Sequence, residues 1–263
     1  MFKKLAKKMR PIQQVHDFVI RLSGVLLVWL IAGAQSASVS RRLTEQAAPP
    51  LGYLAKPMSA TAAAVLVLHD NLGLDWWTKS LCDSLAREGF MAFAVDVYGG
   101  KLPEDMMEAH ELERALPEDK ARQNIINAAQ FLKETYKLKH IGLFGVAMGG
   151  MLALDAISSQ IEKFEACVVN YAPLPTTDSL IERLDCPMMI HVGENDFGIE
   201  RRSVEQFTQK MHARHKNVDT HFYREAGFGF LRPNHENFHA TSAHVAWQRS
   251  IKFLKTYLLK SSQ

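Results

Sequence analysis

The chain has three cysteines in 263 residues, Cys82, Cys167 and Cys186, and an odd count leaves at least one thiol without an intrachain partner. No pair of them has the spacing of metal ligands. Cys167 ("EACVVNYA") and Cys186 ("CPMMIHV") sit in or beside strand-like runs, where a free cysteine acts as a small buried hydrophobe. An excess of one charge is lacking as well. The formal net charge is +3, but six of the 31 bases and one of the 28 acids fall in residues 1–34, which leaves 25 bases against 27 acids. Such a body carries no electrostatic footprint for nucleic acid. Internal repeats and low-complexity tracts are absent, and the apolar run Leu22–Ile31 is well short of the roughly 20 residues that span a bilayer.

What is present at the N-terminus is an ordered set of targeting signals. A basic region (Lys3, Lys4, Lys7, Lys8, Arg10) precedes the apolar run, and "AGAQSA" follows it, with an A-x-A pattern ending at Ala34 and a weaker one at Ala37. This order reads as a secretory signal peptide over residues 1–37, followed by a polar linker over 38–50. Cleavage implies export to the periplasm or the medium. An uncleaved membrane anchor is the alternative, and any membrane contact is confined to this segment; an amphipathic N-terminal helix is a third reading.

From residue 51 to 263 short apolar runs alternate with longer amphipathic ones. Strands are expected at 62–68, 91–97, 140–145, 166–171, 188–192 and 220–223. Helices are expected at 75–88, in two pieces over 103–136 broken near Pro117, after residue 148, at 200–213 and at 240–259. This alternation predicts one α/β domain, a doubly wound, mostly parallel sheet with helices on both faces. Chemistry in such sheets gathers at the carboxyl ends of the strands. The segments there are "HDNLG" (69–73), "DVYGG" (96–100), "GVAMGG" (145–150), "GENDFG" (193–198) and "REAGFGFLRP" (224–233).

"IGLFGVAMGG" (141–150) is a strand, a sharp turn and a helix start, with glycines flanking Ala147. Hydrolases of the α/β type expose a nucleophile on such an elbow. From about residue 50 to 258 the order "GYLAKP", "VLVLHDNLGL", "AVDVYGG", "GVAMGG", "HVGENDFGI", "YREAGFGF" and "AWQRSIKFLKTYL" resembles the dienelactone hydrolase family of α/β-hydrolases. The resemblance implies the α/β-hydrolase fold and a Cys-His-Asp triad acting on enol-lactones or related esters, with no metal and no cofactor. It places the nucleophile at Ala147, the histidine at Phe228 and the acid at Asp196. It also puts the first-loop carboxylate at Asp70, one substrate-holding arginine at Arg232, and a second at Gly100, beside Lys101. The backbone N–H of Met148 takes the place of an oxyanion donor.

A methyl group cannot attack an ester and a phenyl ring cannot move a proton. The expectation is therefore a family member without triad hydrolysis, binding a small ligand, with carboxylates among the candidates, or an unspecified protein partner. The alternative is an ester or lactone hydrolase working through a different constellation.

Other residues have plainer readings. Asp196 can cap its own loop, and Arg232 can pair with Asp70 as well as touch a ligand. His191 reads as a hydrogen-bonded core histidine. Of Trp76 and Trp77, one is expected in the core and one at the cleft mouth. "HENFH" (235–239) is a literal HExxH, a zinc motif only if it lies on a helix and finds a third ligand such as His244. His235 and His239 are also the candidate replacement bases.

Overall fold

The computed structural model describes residues 49–259. The N-terminal segment 1–37 and most of the linker lie outside the described residues. Seven strands form a single sheet: β1 (Gly52–Ala55), β2 (Ala63–Leu68), β3 (Met91–Val95), β4 (His140–Val146), β5 (Ala166–Asn170), β6 (Met188–Gly193) and β7 (Val218–Tyr223). Their order is β1-β3-β2-β4-β5-β6-β7, with β1 antiparallel to β3 and every other pair parallel. This is the mostly parallel, doubly wound sheet expected from the alternation of runs. The inner strands β2 and β3 are buried along their whole length, as strands covered on both faces must be.

The helices are α1 (Trp76–Arg87), α2 (Met106–Ala115), α3 (Glu118–Tyr136), α4 (Met148–Ser158), α5 (Asp178–Glu182), α6 (Arg201–Ala213) and α7 (Ala240–Leu258). Local chemistry sets their ends. Asp75 caps α1, its carboxylate accepting from Trp77 N–H and Thr78 N–H at 3.1 and 3.0 Å, and Gly89 supplies the positive φ just beyond. Pro117 separates α2 from α3 and stands at the N-cap of the second, where its missing N–H costs nothing.

Strand alternation assigns the two layers. A methyl at Gly142 would meet Leu258 of α7 at 2.6 Å, whereas one at Gly145 would meet the backbone of α4 at 2.5 Å. These residues are three apart and so point to opposite faces. The side chains of α1 and α7 thus cover one face, and α4, backed by α3, the other.

The chain leaves β2 toward β3, then crosses back to β4 and continues to β7. The crevice between the carboxyl ends of β2 and β4 is therefore the topological switch point, where open α/β sheets bind ligands. Cys82, Cys167 and Cys186 are all buried and free.

Candidate functional site

Ala147, between β4 and α4, has φ 48° and ψ −115°. An L-residue reaches that conformation only when its surroundings impose it, at roughly 1–3 kcal/mol. Three contacts do so. Ala147 N–H donates to Asn170 O at 3.0 Å. Gly145 and Gly149 are packed backbone to backbone. A methyl at Gly149 would stand 2.1 Å from Leu68 O, and one at Gly150 would stand 2.5 Å from Ala172 Cβ. The start of α4 is thereby pressed against the end of β2, and Ala147 is held at the switch point. Met148 is the first residue of α4, so its N–H has no acceptor within the helix.

The neighbouring loops supply the walls. His69 is buried. Its Nε2 accepts from Val97 N–H at 3.4 Å, which leaves Nδ1–H to donate to Asp70 O at 2.6 Å. Burial lowers its pKa, so the ring is neutral. The Tyr98 ring meets the His69 ring edge-on, and its hydroxyl donates to Met148 Sδ at 3.4 Å. Tyr171, directly after β5, is also buried at positive φ. Its ring centroid lies 5.4 Å from that of Phe228, and its hydroxyl has no partner among the described residues.

Asp196 lies on the loop after β6. That loop is tied to the Phe228 loop, since Asn195 N–H donates to Ala226 O at 2.9 Å. One carboxylate oxygen of Asp196 accepts from Gly198 N–H at 2.9 Å, which is the loop cap expected from sequence. The other is buried with no partner among the described residues, and burial raises the pKa of the group. Phe228 is 40% exposed and packs edge-on against both Tyr171 and His235.

Arg232 is committed to two carboxylates. It donates from Nη1 to Asp70 Oδ2 at 2.9 Å and from Nη2 to Asp75 Oδ2, and its guanidinium lies 4.9 Å from the centre of the Trp77 ring. All three ionic side chains are largely buried. Burial pushes the Asp70 pKa up, and Arg232 opposes the shift. Removing one member of such a cluster costs about 3–5 kcal/mol, because a charge is left buried and alone.

"HENFH" does not lie on a helix. Residues 235–238 form turns, and His239 is the N-cap of α7, its Nδ1 accepting from Ser242 N–H at 3.3 Å. The two imidazoles therefore lack the one-face spacing that a zinc site needs. Among the described residues no group of three or more His, Cys, Asp or Glu is arranged to hold a metal ion. His191 is a core histidine, between Tyr223 Oη at 2.8 Å and Ser250 Oγ at 2.9 Å. Trp77 is buried and Trp76 is half exposed.

A family model for dienelactone hydrolases matches residues 51–258. The chain belongs to the dienelactone hydrolase family. Carboxymethylenebutenolidase 1 of Cupriavidus pinatubonensis is 25% identical over 216 residues, covering 77% of this chain and 89% of that protein. Among solved structures, the dienelactone hydrolase-like promiscuous phosphotriesterase P91 from metagenomic libraries superposes with a TM-score of 0.71 at 16% identity, covering 78% of this chain and 92% of that one. The dienelactone hydrolase of Anabaena variabilis gives 0.59 at 19% identity, covering 79% and 91%. These two superpositions show a shared fold over more than three quarters of the chain.

Within this dienelactone hydrolase frame, two residues of the site were missed in the sequence. In the sequence Asp75 is only the first residue of the helix expected at 75–88, and the structure makes it the cap of α1. Its second carboxylate oxygen meets an arginine 157 positions away, a pairing only the tertiary fold creates. Tyr171 lies at the end of a strand, with no local pattern to mark it as the floor under Phe228.

Proposed function

We propose that this dienelactone hydrolase family protein does not hydrolyse esters through a triad and instead holds a small neutral ligand in the cleft at the switch point. The observation that carries the reading is Ala147: the strained elbow is kept, and a methyl stands at its tip. Acyl transfer needs an activated nucleophile, a base within hydrogen-bond reach and donors for the oxyanion. Of these, the Met148 N–H offers the donor, Ala147 removes the nucleophile, and Phe228 stands where the resemblance puts the base. The unpartnered oxygen of Asp196 fits the same account, as an acid with no imidazole to orient.

The charge balance argues for a neutral ligand over the carboxylate expected from sequence. Asp70 and Asp75 flank a single guanidinium, whose Nη1 and Nη2 both donate to carboxylates already. A ligand carboxylate would bring a third negative charge to a guanidinium already balanced by two, which leaves an excess negative charge in a largely buried cluster.

A second reading, ester or lactone hydrolysis through another constellation, has two supports. Relatives carry the name carboxymethylenebutenolidase, and the His235 ring stands 5.8 Å from that of Phe228. It lacks a nucleophile of the family's kind. Burial raises the Cys82 and Cys167 thiols and pushes Cys186 up to about 12, so none offers a thiolate at neutral pH. Incubating the purified protein with a panel of p-nitrophenyl esters and an enol-lactone separates the two readings. No turnover above the buffer rate is expected. Turnover that disappears in His235→Ala would establish the second reading instead.

A further inference from the structure

A second cavity, of about 270 Å³, opens between α1 and α7 on the face of the sheet opposite α4, and Ala147, Phe228 and Asp196 take no part in it. Four aromatic side chains line it. Trp76 stands at the mouth and Trp77 in the wall, while Phe144 and Trp247 meet edge-on with ring centroids 6.0 Å apart. The volume exceeds that of a cavity that holds benzene, about 150 Å³, and falls just below the usual range for larger ligands. One or two fused rings fit it.

The buried polar group of the lining that lacks a partner is an acceptor. Asn170, fully buried, donates from Nδ2 to Gly145 O at 2.9 Å, and that bond fixes which end of the amide is which. Its Oδ1 has no partner among the described residues. The three lining serines are engaged already: each donates its hydroxyl proton inside a helix, and Ser84 Oγ and Ser250 Oγ also accept, from Arg87 Nη2 at 2.8 Å and His191 Nε2 at 2.9 Å. Ser80 donates to Trp77 O at 2.7 Å, Ser84 to Ser80 O at 2.8 Å and Ser250 to Ala246 O at 2.8 Å. A ligand that satisfies Asn170 Oδ1 brings one donor into an otherwise aromatic cavity. An indole does so, having one N–H and no acceptor.

We propose that the cavity between α1 and α7 is a binding site for a small fused aromatic molecule bearing one N–H donor, the indole class, with Asn170 Oδ1 as the acceptor. The aromatic walls give edge-to-face contacts and the buried amide gives orientation. This site stands apart from the reading of the cleft, since neither depends on the other.

The test is calorimetric titration of the full chain with indole and with indene, its near-isostere without the N–H, alongside NMR observation of the tryptophan side-chain N–H signals. Expected are saturable one-to-one binding of indole, perturbed Trp76, Trp77 or Trp247 signals, and binding of indene about fivefold weaker or less. Ala243→Phe places a ring in the cavity from its α7 side and should abolish binding while the unfolding transition is kept. Absence of saturable binding up to the solubility of indole would overturn the proposal and leave a buried water as the occupant. Equal affinity for indole and indene would overturn the role of Asn170. If Ala243→Phe fails to fold, the comparison of the two ligands on the unaltered chain still decides.

Discussion

Ala147 holds a backbone conformation that an alanine does not choose, and the contacts of Gly145, Gly149 and Asn170 hold it there. In an enzyme such strain is part of the mechanism, because it presents the nucleophile. On the proposed reading, with a methyl at the tip, the strain brings no catalytic return. Ala147→Gly should therefore raise stability by about 1 kcal/mol, the relief of strain exceeding the extra entropy that glycine brings to the unfolded chain. Urea denaturation of the two proteins measures it. A loss of stability of that size would mean that the elbow is relaxed in this chain. The elbow at this position was legible in the sequence because glycines mark it, whereas the reading of Phe228 as the histidine position rests on the loop order of the resemblance. Arg232 was legible only in part. Its partner Asp70 follows from the first loop, whereas Asp75 belongs locally to the cap of α1 and reaches Arg232 only through the fold.

The elbow is an element as well as a residue, since α4 can start where it does only if its first turn touches β2. Gly149→Ala would drive a methyl against the Leu68 carbonyl and should cost about 3 kcal/mol or more. Gly89→Ala, whose added methyl meets nothing within 4 Å, should cost about 1 kcal/mol from its positive φ alone. Chemical denaturation of both variants gives the comparison, and equal costs would contradict the close packing of α4 on β2. The long elements were legible from periodicity, down to the break at Pro117. Two short ones were not. β1 has four residues with only Ala55 buried, so no alternation marks it, and it is held by antiparallel pairing to the remote β3. The five residues of α5 are too few to show a helical period.

At the scale of the whole molecule, the parallel sheet buries two histidines as neutral rings. His69 sits at the end of β2 and His191 within β6, and burial lowers both below their ordinary value of 6.5. A base with a depressed native pKa takes its proton more readily when unfolded. The stability from these residues is thus fully present above about pH 6.5 and is lost as pH falls below it. Each contributes a slope of up to about 1.4 kcal/mol per pH unit. The raised acids Asp70 and Asp196 act in the opposite sense, nearer their own lower range. Unfolding midpoints should fall between pH 7 and pH 5.5, and a flat profile there would show that neither histidine is held neutral.

The same scale carries the central claim, that a family member keeps the fold and elbow of a hydrolase while lacking two of its working groups. Restoring both together tests it. Ala147→Cys with Phe228→His puts a thiol at the elbow tip and an imidazole on the loop that Asn195 N–H ties to the Asp196 loop, where Asp196 keeps an unpartnered oxygen. A thiol without its base stays largely protonated, and a histidine without a nucleophile has nothing to activate. The decisive measurement is the rate of p-nitrophenyl acetate hydrolysis by the two single variants and the double variant, each shown to be folded by its unfolding transition. The double variant is predicted to exceed either single change by about a hundredfold or more, because triad members act as one unit. A folded double variant no faster than the better single variant would contradict the account.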